Sequence, residues 1–506
     1  MARARALRWK AALAALAAAC TAVLAGPATG PAAAVDAPVV RSLTPGADQF
    51  RLTDTDYTAA TANLYNRYLT KHADLTDVVT TDYTVNSAGQ TDDWLNLRQM
   101  RPCTGLEPAG LPPAGLPPAD VEKKTAWCWS SAHGDDTTQH WFPQGLSTTG
   151  TADGGDGAIQ GRSVTAVAWH YTTYDDDPVT TGCKTNNLLK LTLIDRTTQK
   201  YRHVLLTEPT STSGSAADFS FVTGHGGGIA WYANYLYVTD TANGIRVFDL
   251  NKLAKVDTYG SGVATVGMNG GKSSACGYPY VLPETHRYFQ ARRAPSCAAD
   301  APIDPASLCF SWLALDKTGG GSTFKLVTGE WYGDTYGSRV VRYRLNPAGS
   351  ATDPGLLATS ADRTVVQDAF TTPGYRGLQG GMTWTDAQGV VNFAFSKGCG
   401  TKPAVLSHTW TGDTRPVTGC GSETAWGGNW AAGSPQALSY WPKLGADQVN
   451  ELWGLTEGIC RAKGDKHFAV GADDSGVCKN YAGSTTASLR TVFAVGFTDP
   501  AVQNRH

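Results

Sequence analysis

Beyond about residue 140 the chain alternates apolar and polar positions in short runs rich in β-branched and aromatic residues. Val164–Trp169, Leu188–Ile194, Tyr235–Thr239, Ile245–Asp249, Lys325–Thr328, Arg339–Leu345, Val390–Phe395, Glu451–Leu455 and Thr491–Val495 have this period of two and predict strands. Gly, Asp, Asn and Pro separate them, and Asp240-Thr-Ala-Asn-Gly244 is a hairpin turn. Upstream, only one stretch has helical spacing. Tyr57, Ala60, Leu64, Tyr68 and Leu69 recur at three and four residues, with Thr53 or Asp54 as the expected cap. Residues 82–101 show no clear period. Ala109–Pro118 repeats five residues twice, and its prolines predict an extended surface loop.

A longer repeat organises the strands. Pro143-Gln-Gly-Leu146, Gly224-His-Gly-Gly-Gly-Ile229, Leu378-Gln-Gly-Gly-Met382 and Pro435-Gln-Ala-Leu438 each place Gln or His before small residues and then an aliphatic one. Three lead into Trp231, Trp384 or Tyr440. The long interval between the second and third copies holds another strand set, starting at Phe310–Leu315, so the count is five. Repeated antiparallel units of this length predict an all-β fold, a five-bladed β-propeller, with an N-terminal helical and irregular extension. Glycine after the Gln or His allows the close backbone approach that a crowded central channel demands. The expected domains are a leader over 1–34, the extension over 35–139 and the propeller over 140–506.

Composition changes the picture only at the edges. The chain has 506 residues, 17% charged, with a formal charge of -2, which gives no basic surface for nucleic acid. Arg3, Arg5, Arg8 and Lys10 precede the apolar run Ala11–Leu24 and the small residues Ala32–Ala34, the pattern of a secretory signal peptide. The apolar run is short for a membrane span. The expectation is therefore an exported monomer that does not insert into membranes. Of 11 cysteines, Cys20 falls in the leader and the rest form an even set, which suits disulfides. Cys103/Cys128, Cys399/Cys420 and Cys460/Cys478 are near neighbours, while Cys183, Cys276, Cys297 and Cys309 have no assignable partners.

In a propeller, starts of first strands and ends of second strands meet on one rim. The starts are Gln144, His225, Ser311, Gln379 and Gln436; the ends are His170, Asp240, Glu330, Ser396 and Glu457. Gln144, His225, Gln379 and Gln436 are thus candidate ligand-binding residues, since amides and one imidazole suit hydroxyl-rich ligands, water or an ion. His225 could instead serve as a base or metal ligand. Asp240, Glu330, Glu457 and His170 are the candidate catalytic set, because glycoside hydrolysis needs two carboxylates across the scissile bond. A lyase would use His170, His225 or Tyr171 as base. Asp175–Asp177 could hold structural calcium through hard oxygens, though an exposed acidic loop is the simpler reading, and Asp153–Gly157 lacks the full calcium-loop pattern. No nucleophile elbow, phosphate loop, zinc motif or cofactor motif occurs.

Trp141-Phe-Pro-Gln-Gly-Leu146, His225-Gly-Gly-Gly-Ile-Ala-Trp231, Leu378-Gln-Gly-Gly-Met382 and Leu452-Trp-Gly-Leu-Thr-Glu457 resemble a group of secreted β-propeller-like proteins of actinobacteria. That resemblance covers about residue 140 onward and implies export and fold, but no activity. The expected function is recognition of an extracellular glycan or small molecule, a carbohydrate above all, in a polar funnel. Polysaccharide hydrolysis or lysis by the rim residues and a protein-interaction scaffold are the alternatives.

Overall fold

The computed structural model describes residues 40–43, 46–82, 96–103, 121–152, 157–174, 182–210, 217–298, 304–318, 324–331, 338–372, 377–386, 388–399, 402–411, 429–431, 435–441, 450–462 and 483–497. Apart from two α-helices and three short 3-10 turns, its regular elements are strands. The all-β expectation is met.

Twenty strands form five antiparallel meanders. The first sheet runs Trp141–Thr148, Val164–Tyr171, Leu189–Asp195 and Lys200–Pro209. The second runs Ile229–Tyr232, Tyr235–Asp240, Gly244–Asp249 and Tyr280–Phe289. The third is Trp312–Asp316, Lys325–Gly329, Ser338–Arg344 and Val366–Thr372. The fourth is Leu378–Thr385, Val391–Cys399, Lys402–Trp410 and Asn429–Ala431. The fifth is Pro435–Trp441, Asn450–Thr456, Thr491–Phe497 and, from far upstream, Val121–Cys128. A parallel pairing of Val281–Pro283 with Leu205–Thr207 joins the second sheet to the first.

Inner strands of these sheets are covered on both faces. Every residue of Val164–Tyr171 is buried, which explains why its sequence is a nearly continuous apolar run rather than a strict alternation. Each sheet also places one fully sequestered indole: Trp169, Trp231, Trp312, Trp384 and Trp453 expose 2% or less. Such side chains contribute large apolar areas to the packing between sheets.

The first strand of each sheet contacts the first strand of the next, and that of the fifth contacts that of the first. Glycine makes these contacts close. A Cβ built on Gly145 would lie 2.8 Å from Gly226 O, one on Gly228 2.2 Å from Leu313 N, and one on Gly380 2.8 Å from Gln436 O. Each of those neighbours belongs to the following repeat, so the small residues after Gln or His are where successive repeats touch.

The N-terminal segment follows the outer strands. Arg41–Ser42 pairs with the outer strand of the third sheet, Thr53–Asp56 with that of the second, and Arg98–Gln99 with that of the first. The expected helix forms over Thr58–Arg67, but Thr53 and Asp54 do not cap it. They are in a strand because their backbone groups pair with Phe289 and Tyr288, a long-range demand that overrides local capping preference. A second helix, Leu75–Thr80, starts from a reciprocal Asp74–Asp77 capping box.

Three disulfides are described: Cys103–Cys128, Cys183–Cys276 and Cys297–Cys309. The first joins two of the near neighbours in sequence; the other two join cysteines for which the sequence offers no partner. Cys460 is also disulfide-bonded. The leader over 1–34, the proline repeat 109–118, Asp153–Asp156, Asp175–Asp177, Cys420 and Cys478 lie outside the described residues. No described helix is long and apolar enough to cross a membrane.

Candidate functional site

A cavity of about 410 Å³ opens where the five sheets begin, and every sheet contributes to its wall. Phe142, Gln144, His170 and Thr172 come from the first, His225 and Thr241 from the second, Ser311 and Trp331 from the third. Gln379 comes from the fourth and Glu457 from the fifth. Six of the ten candidate rim residues are therefore brought together: Gln144, His225, Ser311, Gln379, His170 and Glu457.

Neighbouring repeats touch through these residues. Gln144 Nε2 donates to Glu457 Oε2, which joins the start of the first sheet to the end of the second strand of the fifth. His225 stacks on His170 with ring centroids 4.2 Å apart, again a start against the end of the preceding sheet. Within the third sheet, Ser311 Oγ accepts from the Trp331 backbone N–H at 2.9 Å, which positions the half-buried indole at the wall. Ser396 Oγ donates to the Gln436 carbonyl at 2.6 Å. Gln436 is 1% exposed, and its carboxamide has no hydrogen-bond partner among the described residues. Neither Gln436 nor Ser396 belongs to the cavity wall.

Two of the three candidate acids are held elsewhere. Asp240 pairs with Arg246 at 3.1 Å and accepts from Asn243 Nδ2 at 2.7 Å. Glu330 is gripped more completely: Arg339 Nε and Nη2 donate at 2.6 and 2.7 Å, and the Cys309 N–H at 2.9 Å. Burial raises the Glu330 pKa even against its arginine, yet both oxygens are committed to donors. The cavity receives instead the next residue in each case, Thr241 and Trp331. In both sheets the side chain that lines the cavity is thus the one just past the acid, where the strand has ended.

The wall is largely uncharged. Burial drives the His170 pKa well below its ordinary value, with the nearby His225 and Arg490 acting the same way. His225 keeps an exposed face in the cavity, but protein surrounds it at longer range, and that desolvation takes its pKa down to about 4. Both rings are neutral at pH 7, each with one N–H and one lone pair. Behind them Arg490, with no exposed surface, donates from Nε to the Glu457 carbonyl at 2.8 Å and sits 4.9 Å from the Phe142 ring. Desolvation pushes its pKa down to about 10, opposed by the Glu457 charge. The single wall carboxylate thus faces a compensating cation.

Among the described residues no three His, Cys, Asp or Glu side chains gather closely enough to hold a metal ion. A hydroxyl–imidazole–carboxylate series does occur away from the cavity. Thr192 Oγ1 lies 2.6 Å from His203 Nδ1, and His203 Nε2 lies 3.2 Å from Asp135, which is bound in turn by Arg98. Thr192 has no exposed surface, so this series is internal bonding between the first sheet and the turn that precedes it.

The buried imidazoles make acid stability testable. Burial takes the His203 pKa down to about 3, against about 6.5 in an unfolded chain. The unfolded state then binds more protons at acid pH, so this contribution is complete above pH 6.5 and is lost as pH falls through the folded value. Buried His170 acts in the same direction. Urea unfolding at pH 7 and pH 4 is expected to show a loss on the order of 3 kcal/mol from His203 alone. Equal stability at both values would mean that these rings are not sequestered.

Phe142, Thr172, Thr241, Cys297 and Trp331 are wall residues that the repeat alignment did not single out. Thr241 and Trp331 each follow an aligned acid by one position, just past the end of its strand. Comparison of the chain with known protein families and with curated proteins finds no match.

Proposed function

We propose that the protein is a five-bladed β-propeller that recognises a carbohydrate in the cavity at the centre of its five sheets. The cyclic contacts of the first strands support the radial arrangement. So does the outer strand Val121–Cys128, which completes the last sheet with chain from before the first. Cys103–Cys128 ties that strand to the preceding chain, and the disulfides fit an exported protein. Export and kinship with the secreted actinobacterial proteins that its motifs resemble are part of the same proposal.

The observation that carries the ligand class is the wall itself. Amides, neutral imidazoles and hydroxyls supply directed donors and acceptors, and half-buried Trp331 supplies a face on which a sugar ring can stack. Hydrolysis would require a second carboxylate across from Glu457, and Asp240 and Glu330 are held by Arg246 and Arg339 instead.

Titration calorimetry with neutral oligosaccharides, run beside a reducing-end release assay on the parent polysaccharides, tests this reading. Saturable binding without release is expected. Absence of binding to every neutral oligosaccharide, or release that disappears in Glu457→Gln, would overturn it.

A further inference from the structure

Resting on the reading just given, we propose that the cavity takes the terminal ring of a glycan chain and excludes internal stretches. The reason is enclosure. Gln144, His225, Trp331, Gln379 and Glu457 stand on five different sheets, and the first strands of those sheets contact one another in an unbroken cycle. A chain lying across the site needs two openings in the wall, one for each linkage of its central ring. A terminal ring carries one linkage and needs one.

Exposure along the wall sets the direction of entry. Gln144 and Glu457 are 3% and 2% exposed, and His170 is 6% exposed, whereas Trp331 and Gln379 are half-buried and His225 is exposed. The hydrogen-bonded Gln144–Glu457 pair therefore forms the deep end, and Trp331 and His225 stand nearer the mouth. The deep end presents a carboxylate acceptor and amide groups to the free hydroxyls of the last ring. The ring behind it meets the indole. A volume of about 410 Å³ lies toward the small end of ligand sites and holds roughly one or two sugar rings.

The test uses the full exported chain with xylo-, cello-, manno- and maltohexaose, the corresponding di- and trisaccharides, and the soluble parent polysaccharides. Affinity is measured by calorimetry and expressed per chain end. For whichever series binds, the dissociation constant per end is expected to stay within about twofold from trisaccharide to polymer, because only ends are bound. A parallel titration with borohydride-reduced hexasaccharide identifies the end: unchanged affinity assigns the non-reducing end, and lost affinity the reducing end. Affinity per end that climbs with chain length, as internal sites multiply, would overturn terminal recognition while leaving carbohydrate binding intact. No binding by any series would overturn both.

Discussion

Gly228→Ala is expected to destabilise the protein by about 4 kcal/mol or more, enough to suppress folding in many hosts. The added Cβ would lie 2.2 Å from Leu313 N and 2.5 Å from the Trp312 carbonyl carbon, both backbone atoms of the next sheet, so no side-chain rotation relieves the clash. The third sheet would have to move away from the second. Trp312, fully buried between its neighbours, would lose contact on that side, and a gap of this kind costs lining groups their dispersion partners. Gly349→Ala is the control. Nothing lies within 4 Å of a Cβ there, and removing a glycine from the unfolded chain is neutral or slightly stabilising. Equilibrium unfolding of both variants checks the pair. Equal stability would mean that the first strands are not packed against one another.

The second large effect separates two glutamates that occupy equivalent places in the repeat. Glu457→Gln is expected to weaken oligosaccharide binding by roughly ten- to a hundredfold, because a charged acceptor is removed from the cavity wall. It is expected to lower stability as well, because Arg490, with no exposed surface, loses the charge that offsets its own. Glu330→Gln is expected to lower stability without weakening binding. It leaves Arg339, 5% exposed, facing a neutral amide in a site that supplied a bidentate carboxylate, which costs about 3 kcal/mol. Binding should be unchanged, since Glu330 does not line the cavity. Calorimetric titration and urea unfolding of both variants settle the contrast. Loss of binding in Glu330→Gln with stability retained would return that residue to the site.

How far the sequence carried this picture depended on the range of the interactions. Val164–Tyr171, Tyr235–Asp240, Gly244–Asp249 and Thr491–Phe497 were legible within two residues at each end, because alternation and bounding turns are local. Val121–Cys128 was not, since Glu122, Lys123 and Lys124 disguise it. It is a strand because it pairs with Thr491–Phe497, more than three hundred residues away. Thr53 and Asp54 misled for the same reason, their backbone being claimed by Tyr288 and Phe289.

The site divides likewise. Gln144, His225 and Glu457 followed from aligning repeats, and adjacency of starts and ends is a geometric property of consecutive meanders. The arginines that hold Asp240 and Glu330 were also within reach. Arg246 and Arg339 stand on the strand after each acid, close to it across the hairpin, so antiparallel register could have paired them. The positions of Cys183 and Cys276, 93 residues apart, were beyond any local signal.

A crystal structure of the protein soaked with a binding trisaccharide tests the central claim most directly. The expected density shows five sheets about one axis, with a terminal sugar ring against Gln144 and Glu457 and the next ring over Trp331. A sugar bound on the outer strands, or first strands that diverge and leave Gln144, His225 and Gln379 on separate surfaces, would contradict it.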